Sequence, residues 1–369
     1  MNDSALLFNP GPVRVHPSVW EALNTGDLCH REMETLSRLT RVREKLVEIC
    51  NGDGTHDAIL LTGSGTCALE AAIATAVPPL GTALVLDNGN YGERLRQIVA
   101  SRAIDHEWLR MGWGQTFDLI EIERVLKART FSHVLMVHHE TSTSMLNPLA
   151  EVAAIAHRYG CDVIVDAVSS VGAEEIDVRA MGVDWLVGSS NKCLEGLPGM
   201  SFVCAKTALL ESAEGSNAGL YLDLHANFSA QVGRQEPAFT PAVQVLAAWE
   251  CALDVLLAEG VIGRRERYSR STARIRERMQ ELGMKSFVSD GDLSCCTSVF
   301  HLPESMPFSA FHDQMRDRGY IIYHCPPRMG NVVRIATMGQ LKESHVEGLL
   351  HAMTAVLVPQ GGATSASNE

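Results

Sequence analysis

The feature that most constrains this chain is a pair of short apolar runs within residues 163–200, each ending in polar residues. The run VIV ends in Asp166, and the run WLV ends in the sequence GSSNK, which contains Lys192. Short apolar runs bounded by small and polar residues are typical of buried strands. Because ligands of α/β sheets bind at the carboxyl ends of the strands, we expect a carboxylate and an amine to project into one crevice.

A lysine and a carboxylate at neighbouring strand ends are what pyridoxal phosphate (PLP) chemistry requires. The lysine forms a Schiff base, and the carboxylate keeps the pyridine nitrogen protonated so that the ring accepts electrons. The alternative is a surface lysine and a strand-end aspartate with no shared role. Since most lysines are solvated, the spacing of Lys192 and Asp166 does not decide between the two interpretations. The surrounding residues have to decide between them.

A second strand end favours an anion site. The apolar run at 58–62 leads into the sequence GSGT at 63–66, and a helical stretch starts at Cys67. A strand, a turn of small residues and a helix N-terminus together suit a phosphate, because free backbone N–H groups and the helix dipole favour an anion. The segment is neither a P-loop nor a dinucleotide fingerprint, since GKS/T and GxGxxG are absent. Taken alone, it is also compatible with a plain turn.

Two more strand ends carry polar residues. The run at 83–86 leads to NGNYG, in which Tyr91 either stacks on a planar cofactor or belongs to the core. The run at 134–137 leads to HHETST, which contains Thr141. Strands that alternate with helical stretches, such as 148–159, predict a mainly parallel sheet covered by helices.

The chain has 369 residues, enough for two domains with sizeable cores. A change of pattern near residue 245 introduces two long helical stretches, followed by short strands around a helical segment at 308–318. We therefore predict four parts: an irregular lead-in at 1–15, a large domain at 16–245, a smaller α+β domain at 246–358, and a disordered tail at 359–369.

Composition excludes several classes of function. A formal net charge of −13 argues against nonspecific binding of nucleic acid or anionic membranes, although a local basic pocket remains compatible with it. No apolar stretch is long enough for a membrane span, and the N-terminus lacks a signal-peptide pattern. The ten cysteines show no CxxC pair and no zinc spacing. These patterns predict reduced thiols, a cytoplasmic location and no bound metal.

In their order and spacing these motifs resemble the class V aminotransferases, a group of fold-type I PLP enzymes. The resemblance runs from the sequence NPGP at 9–12 to the segment around Arg334. Its most specific pieces are TGSGT (62–66), NGNYGER (88–94), HHET (138–141), DAVSS (166–170), SSNKC (189–193) and FTP (239–241). It implies a large domain with a mainly parallel sheet covered by helices, a smaller C-terminal α+β domain, and PLP as cofactor.

The resemblance also implies roles for individual residues. Lys192 matches the Schiff-base lysine, and Asp166 matches the partner of the pyridine nitrogen. The implied cofactor contacts are Ser64, Gly65 and Thr66 at the phosphate, Tyr91 and Val168 on the two ring faces, Thr141 at the phenolic oxygen, Ser189, and Thr240 from the neighbouring subunit of a homodimer. The implied substrate contacts are Arg334, which receives the acidic group, with Gly11 and Arg31.

Within the group, the chain resembles the members that move the amino group of 2-aminoethylphosphonate to pyruvate. Two segments depart from those relatives, which usually have glycine in place of Ser144 and IYPGK where this chain has IYHCP at 322–326. A related aminophosphonate, or alanine:glyoxylate or serine:pyruvate transamination, stays open as an alternative. A catalytically silent binding protein is a third interpretation, and intact Lys192 and Asp166 argue against it.

Overall fold

The computed structural model describes residues 5–214, 218–288 and 293–358, so the predicted disordered tail at 359–369 lies outside the described residues. The strands are β1 (Leu6–Leu7), β2 (His56–Thr62), β3 (Thr82–Asp87), β4 (Asp105–Arg110), β5 (His133–Val137), β6 (His139–Glu140), β7 (Met145–Leu146), β8 (Asp162–Asp166), β9 (Trp185–Ser189), β10 (Met200–Lys206), β11 (Thr297–His301), β12 (Tyr320–Ile321), β13 (Tyr323–His324) and β14 (Val332–Ala336). The helices are α1 (Pro17–Leu23), α2 (Met33–Ile49), α3 (Gly65–Ala76), α4 (Asn90–Ser101), α5 (Leu119–Ala128), α6 (Leu149–Arg158), α7 (Thr207–Ser212), α8 (Gly219–Leu222), α9 (Leu224–Phe228), α10 (Val243–Glu259), α11 (Val261–Glu281), α12 (Phe308–Asp317) and α13 (Glu343–Leu357). Within these ranges, no helix has the length and apolar character needed to cross a membrane.

The large sheet has seven strands in the order β2-β10-β9-β8-β5-β3-β4. Strand β10 pairs antiparallel with both β2 and β9, and the other strands run in one direction. Strands β8 and β9 are parallel neighbours, with Asp166 paired in register with Val187. The carboxyl ends of these two strands therefore lie side by side, as the sequence predicted.

Helices cover both faces of this sheet, which explains why its strands are continuous apolar runs. Successive residues of a strand point to opposite faces. In β8, Val163 and Val165 pack into a core that includes residues of α2, α6 and α10. Ile164, between them, packs into the core under α3 and α4. The predicted mainly parallel sheet covered by helices is confirmed.

The smaller C-terminal sheet is antiparallel, in the order β11-β14-β13. Its core includes residues of α11, α12 and α13 and, from the start of the chain, fully buried Phe8. Strand β1 pairs parallel with β12, so the segment predicted to be irregular at 1–15 contains a short strand. That pairing joins two segments that lie far apart in the chain, so no local sequence pattern predicts it. The domain boundaries drawn from the sequence stay predictions.

Some local elements also differ from expectation. The run YIIY at 320–323 has the pattern of one short strand, but β12 and β13 belong to different sheets, with Ile322 buried between them. Helix α3 begins at Gly65 rather than at Cys67. Its first turn therefore contains Gly65 and Thr66, which places their backbone N–H groups among those that a helix leaves unpaired.

Gly188 offers a test of how closely the large sheet is packed. It pairs in register with Phe202 on β10. A Cβ added at Gly188 would lie 2.6 Å from Cζ of Phe202, a fully buried ring, and 3.0 Å from Cγ1 of Val171. Because overpacking a core costs about 1–3 kcal/mol, we expect Gly188→Ala to lower the free energy of unfolding by that amount in denaturant titrations followed by circular dichroism.

Gly263→Ala is the matched control. On α11 the added Cβ would make only an ordinary contact, 3.6 Å from Cγ of Glu259. Alanine is the better helix former by about 1 kcal/mol, so this variant should be stabilised. An unchanged unfolding midpoint for Gly188→Ala would show that the strands shift to accept the methyl group.

Candidate active site

A cavity of about 160 Å³ opens at the carboxyl edge of the large sheet. Its lining includes eight of the residues predicted for the site: Ser64, Gly65, Thr66, Tyr91, Asp166, Val168, Ser189 and Lys192. It also includes residues that the sequence did not single out: Leu69, Arg94, Val137, His139, Ser169 and Asn191. A larger groove of about 1510 Å³ lies between the N-terminal segment and helices α11 and α13, but neither Lys192 nor Asp166 lines it.

Asp166 is the buried carboxylate at the end of β8. Its Oδ1 accepts a hydrogen bond of 3.0 Å from the N–H of Val168. Burial raises the pKa of Asp166 to about 6, against the Val168 hydrogen bond and the charges of Arg94 and Lys192. Among the described residues, no donor reaches Oδ2. A protonated pyridine nitrogen fits this position, because it would supply both the missing donor and the missing countercharge.

Lys192 follows β9, and its Nζ donates a hydrogen bond to the carbonyl oxygen of Pro10. Burial lowers the pKa of Lys192; Tyr91 opposes the shift and the positive charge of Arg334 adds to it. A lower pKa increases the neutral fraction of the amine, the form that attacks a carbonyl carbon.

Gly11 packs directly against this lysine. Its φ of +116° favours glycine, and an added Cβ would lie 2.6 Å from Cδ of Lys192. The structure thus places Gly11 beside the amine, and its contact with substrate stays a prediction.

The first turn of α3 forms one end of the cavity. Ser64 is the N-cap, and Gly65 and Thr66 follow it in the helix. A Cβ at Gly65 would lie 2.7 Å from Cγ2 of Val168, so glycine is what lets this turn approach the end of β8. Unpaired N–H groups at a helix N-terminus suit a phosphate.

Arg94 adds a positive charge that the sequence did not reveal. Its Nη1 lies 3.5 Å from Oγ1 of Thr66, and its guanidinium carbon lies 4.8 Å from the ring centroid of Tyr91. The motif NGNYGER contains this arginine, but the direction of its side chain depends on α4, which begins at Asn90. Arg94 therefore lies at the α3 end of the cavity, beside Tyr91.

Tyr91 lines the cavity, and Thr141 lies next to Tyr91. Burial by itself raises the pKa of Tyr91, but the charges of Lys192 and Arg334 outweigh this and lower it, which places the phenol near both cations. The fully buried Thr141 side chain adds to the lowering of the pKa of Tyr91, but its hydroxyl has no hydrogen bond of normal geometry in the described part of the chain. An unsatisfied buried hydroxyl is costly, and the phenolic oxygen of PLP would satisfy it.

Arg334, in the middle of β14, is buried with 6% of its surface exposed. Its Nη1 donates to the carbonyl oxygen of Thr141 at 2.9 Å, and its Nη2 lies 3.5 Å from the carbonyl oxygen of His324. Its buried Nε has no partner, and within the described ranges no carboxylate forms an ion pair with it. A buried cation without a counterion is costly, so Arg334 is suited to receive an anion.

Five predicted residues do not line the cavity. Gly11 packs against Lys192, and Thr141 and Arg334 contact each other beside the site, whereas Arg31 and Thr240 lie apart from it. Arg31 is exposed, and its Nη1 lies 3.7 Å from Glu236. Thr240 is also exposed and lines a separate small crevice beside Phe239. The role predicted for Thr240, in the site of a neighbouring subunit, remains a prediction.

His139 is the histidine of the HHET motif that lines the cavity. Its Nδ1 lies 2.9 Å from the carbonyl oxygen of Ser169, and its Nε2 lies 2.9 Å from Oγ1 of Thr297. Burial lowers the pKa of His139 to about 3, so the ring is neutral and donates from Nδ1. His138 contacts Ser170 instead. The motif does not indicate which histidine faces the cavity, because the orientation of each side chain depends on the direction of the backbone after β5.

The fold and the paired lysine and aspartate define a fold-type I PLP enzyme, and comparisons with known proteins place the chain within that class. The family model described as aminotransferase class-V matches residues 18–305. The 2-aminoethylphosphonate–pyruvate transaminase of Salmonella paratyphi B is 32% identical over 357 residues, covering 95% of this chain and 97% of the relative.

Two solved structures have the same fold. The subgroup IV aspartate aminotransferase of Thermus thermophilus superposes with a TM-score of 0.88 at 29% identity, covering 95% of this chain and 99% of the other. The alanine–glyoxylate aminotransferase of Nostoc sp. superposes with a TM-score of 0.91 at 25% identity, covering 96% of each chain. The chain belongs to the class-V aminotransferase family. It is a PLP-dependent transaminase, which requires an amino donor and a keto-acid acceptor.

The assignment of Lys192 predicts a specific chemical result. Borohydride reduction of the PLP-loaded protein should leave a covalent cofactor adduct, detected by mass spectrometry at Lys192. Lys192→Ala should form no adduct while still binding PLP, because the phosphate and ring contacts remain. Lys127→Ala, on the exposed face of α5, is the control and should form the adduct normally. An adduct on Lys192→Ala would assign the Schiff base to another lysine.

Proposed function

We propose that the protein transfers the amino group of 2-aminoethylphosphonate to pyruvate, giving phosphonoacetaldehyde and L-alanine, as a step of phosphonate metabolism. The observation that carries the proposal is Arg334, a buried guanidinium with no carboxylate partner in the described chain, close enough to Lys192 to lower its pKa. The 32% identity to transaminases of this name over 95% of the chain supports the same substrate pair.

PLP, when bound, holds the amino group between the two half-reactions and delocalises the negative charge that develops at the substrate carbon. With the cofactor bound, Lys192 would hold it and, once freed, would move a proton to and from the substrate carbon. Its lowered pKa increases the fraction of neutral amine that can accept that proton. Asp166 would keep the pyridine nitrogen protonated through a charge-assisted hydrogen bond.

Arg334 has to hold two different acids in turn, since the donor carries a phosphonate and the acceptor a carboxylate. A planar guanidinium can pair bidentately with either group, whereas a lysine acts only as a point charge. Two hydrogen bonds to main-chain carbonyls orient the guanidinium of Arg334, and its Nε has no partner in the described residues. The positive charge of Arg334 is therefore not neutralised. This arrangement supports a substrate pair in which both members carry an acidic group, bonded to the reacting carbon in pyruvate and to the neighbouring carbon in 2-aminoethylphosphonate.

A second candidate is transamination between alanine or serine and glyoxylate or pyruvate. The position of the segment IYHCP at 322–326 favours this candidate. In that segment the chain departs from its relatives that act on 2-aminoethylphosphonate. His324, within that segment, presents its carbonyl oxygen to Arg334, so the departure lies against the proposed acid site. Ser144, the other departure, has a φ of 69° and a buried hydroxyl without a partner in the described residues.

A donor screen decides between the two candidates. The PLP-loaded enzyme is given pyruvate with 2-aminoethylphosphonate, its hydroxylated analogue or serine, and L-alanine is measured. Alanine with glyoxylate is tested in parallel by pyruvate release. We expect the highest kcat/KM for 2-aminoethylphosphonate. A higher value for serine, or for alanine with glyoxylate, would replace the proposed donor.

Removing Arg334 should weaken capture of both substrates. A hydrogen bond to a charged group contributes about 1.5–3 kcal/mol, so Arg334→Ala should lose roughly ten- to a hundred-fold in kcat/KM in each half-reaction. The visible absorbance of the lysine-bound cofactor should stay unchanged. Arg124→Ala, which removes an exposed arginine paired with Glu121 on α5, is the control and should keep full activity.

Measuring the two half-reactions separately distinguishes the possible roles of Arg334. A loss confined to one of them would mean that phosphonate and carboxylate have different anchors. No loss in either would make Arg334 structural, and Arg31 would become the next candidate for the acid site.

We also propose a homodimer in which Thr240 reaches the active site of the partner subunit. Thr240 is exposed next to an apolar patch of Leu220, Tyr221 and Phe239, which are 80%, 40% and 37% exposed. The rings of Tyr221 and Phe239 lie 5.1 Å apart. Exposed apolar patches of this kind favour a protein partner, and the family resemblance of the FTP motif favours a second copy of the chain.

Mixed variants test this sharing of sites. Thr240→Ala should bind PLP more weakly, and Lys192→Ala should be inactive. A heterodimer of the two has one site with intact Lys192 and intact Thr240, so mixing should restore activity above that of either variant. Remixed Lys192→Ala alone is the control. Full activity of a diluted monomer, measured with sedimentation at the same concentration, would exclude shared sites.

We propose a cytoplasmic location for the enzyme. All ten cysteines are free thiols, and Cys295 and Cys296 remain unpaired although they are adjacent and buried. Proteins that keep this many thiols reduced are typical of reducing compartments.

A further inference from the structure

Glu140 is a buried carboxylate to which the reaction assigns no part. It ends β6, is fully buried, and directly precedes Thr141. Its Oε2 accepts hydrogen bonds from the backbone N–H groups of Tyr91, at 2.9 Å, and Gly92, at 3.1 Å. Its Oε1 accepts from the N–H of Ser142, at 3.1 Å, and from the Ser142 hydroxyl. Four donors from two separate segments thus converge on one side chain.

Two of these donors belong to the first turn of α4, whose N–H groups have no partner inside the helix. The N-cap is Gly89, which has no side chain to accept them. Glu140 accepts from Tyr91 and Gly92, and Oγ of Ser142 accepts from Asn90 at 3.0 Å. The segment that carries Thr141 therefore caps the helix that carries Tyr91, and the negative charge suits the positive end of the helix dipole.

The close approach of the two segments requires glycine at position 89. The φ of Gly89 is 178°, an extended conformation open to any residue, so the requirement comes from packing. An added Cβ would clash with Cγ and Cδ of Glu140 and lie 2.8 Å from its Oε1. Glu140 and the start of α4 are thus fitted to each other with no space for a methyl group.

We propose that Glu140 is a positioning residue that joins Tyr91 and Thr141 into one rigid unit around the cofactor. The inference rests on the roles proposed above for Tyr91 at the ring face and Thr141 at the phenolic oxygen. A carboxylate is required because all four groups that reach it are donors. In Gln, one of the two oxygens is replaced by an NH₂ group, which donates hydrogen bonds and does not accept them. The two donors that reach that oxygen in Glu140 would then lose their acceptor.

Two effects act on the charge of Glu140 in opposite directions. Burial raises its pKa to about 7, and the hydrogen bonds from Ser142, Gly92 and Tyr91 oppose that shift and favour the carboxylate form. A buried carboxyl group with a strongly raised pKa next to a ligand cavity is a candidate for a functional residue.

The test compares Glu140→Gln with Asp184→Asn, which alters an equally buried carboxylate at the opposite edge of the sheet. Asp184 accepts from the N–H of Val163 at 2.7 Å and from Nε2 of His157 at 2.8 Å, and it pairs with Lys206. Each protein is stripped of PLP and titrated with it, and Kd, the visible circular dichroism of bound PLP and Tm are measured without substrate.

We expect Glu140→Gln to weaken PLP binding roughly ten-fold and to reduce the visible circular dichroism, because the ring contact loses its fixed orientation. Asp184→Asn should lower Tm while leaving Kd and the dichroism as in the wild type. Ser142→Ala removes a single hydroxyl from the same cluster and should change both cofactor readouts in the same direction by less. It keeps the proposal testable if Glu140→Gln does not fold.

Wild-type Kd and dichroism in Glu140→Gln, or equal losses in Asp184→Asn, would overturn the proposal. Tyr91→Leu separates it from the roles on which it rests: a Tyr91→Leu protein with unchanged dichroism would show that Tyr91 does not contact the ring. Since no donor or acceptor is present, the result does not depend on which amine the enzyme uses.

Discussion

The site depends on the parallel pairing of β8 with β9, which brings a carboxylate and an amine of opposite charge to one edge of a buried sheet. Burial acts on both in opposite senses, raising the pKa of Asp166 and lowering that of Lys192. In each group burial disfavours the charged form, a cost that a bound partner of opposite charge offsets. A cofactor that offers a protonated ring nitrogen to one and a reactive carbonyl carbon to the other satisfies both.

Around this pair, three distant stretches of chain close the site. The lead-in supplies the carbonyl of Pro10 to Lys192 and the close packing of Gly11. The small sheet supplies Arg334, whose guanidinium is oriented by the carbonyl of Thr141. Just beyond Lys192, buried Glu195 accepts from Tyr268 and Arg267 of α11. The loop carrying the lysine is therefore tied to the helix that packs under the small sheet.

Much of the fold could be predicted because its signals are local. The runs that became β2, β3, β5, β8 and β9 are continuous apolar segments ended by small or polar residues, since both faces of each strand are covered. Other elements lack such a signal. Strand β4 lies at the sheet edge and has the sequence DHEWLR, and β1 is two residues long and is defined by its pairing with β12.

For the site, the sequence by itself determined the chemistry: Lys192, Asp166 and the Ser64–Thr66 turn each follow an apolar run, so their place at a strand end could be read locally. Only the tertiary structure decided which groups act together. Arg94 and His139 line the cavity, and Glu140 contacts the start of α4, because of the direction of α4 and the path of the chain after β5. In the described part of the chain Arg334 has no carboxylate partner, and the groups that reach it are main-chain carbonyls of other segments. Such properties arise from packing between distant segments, which no single stretch of sequence encodes.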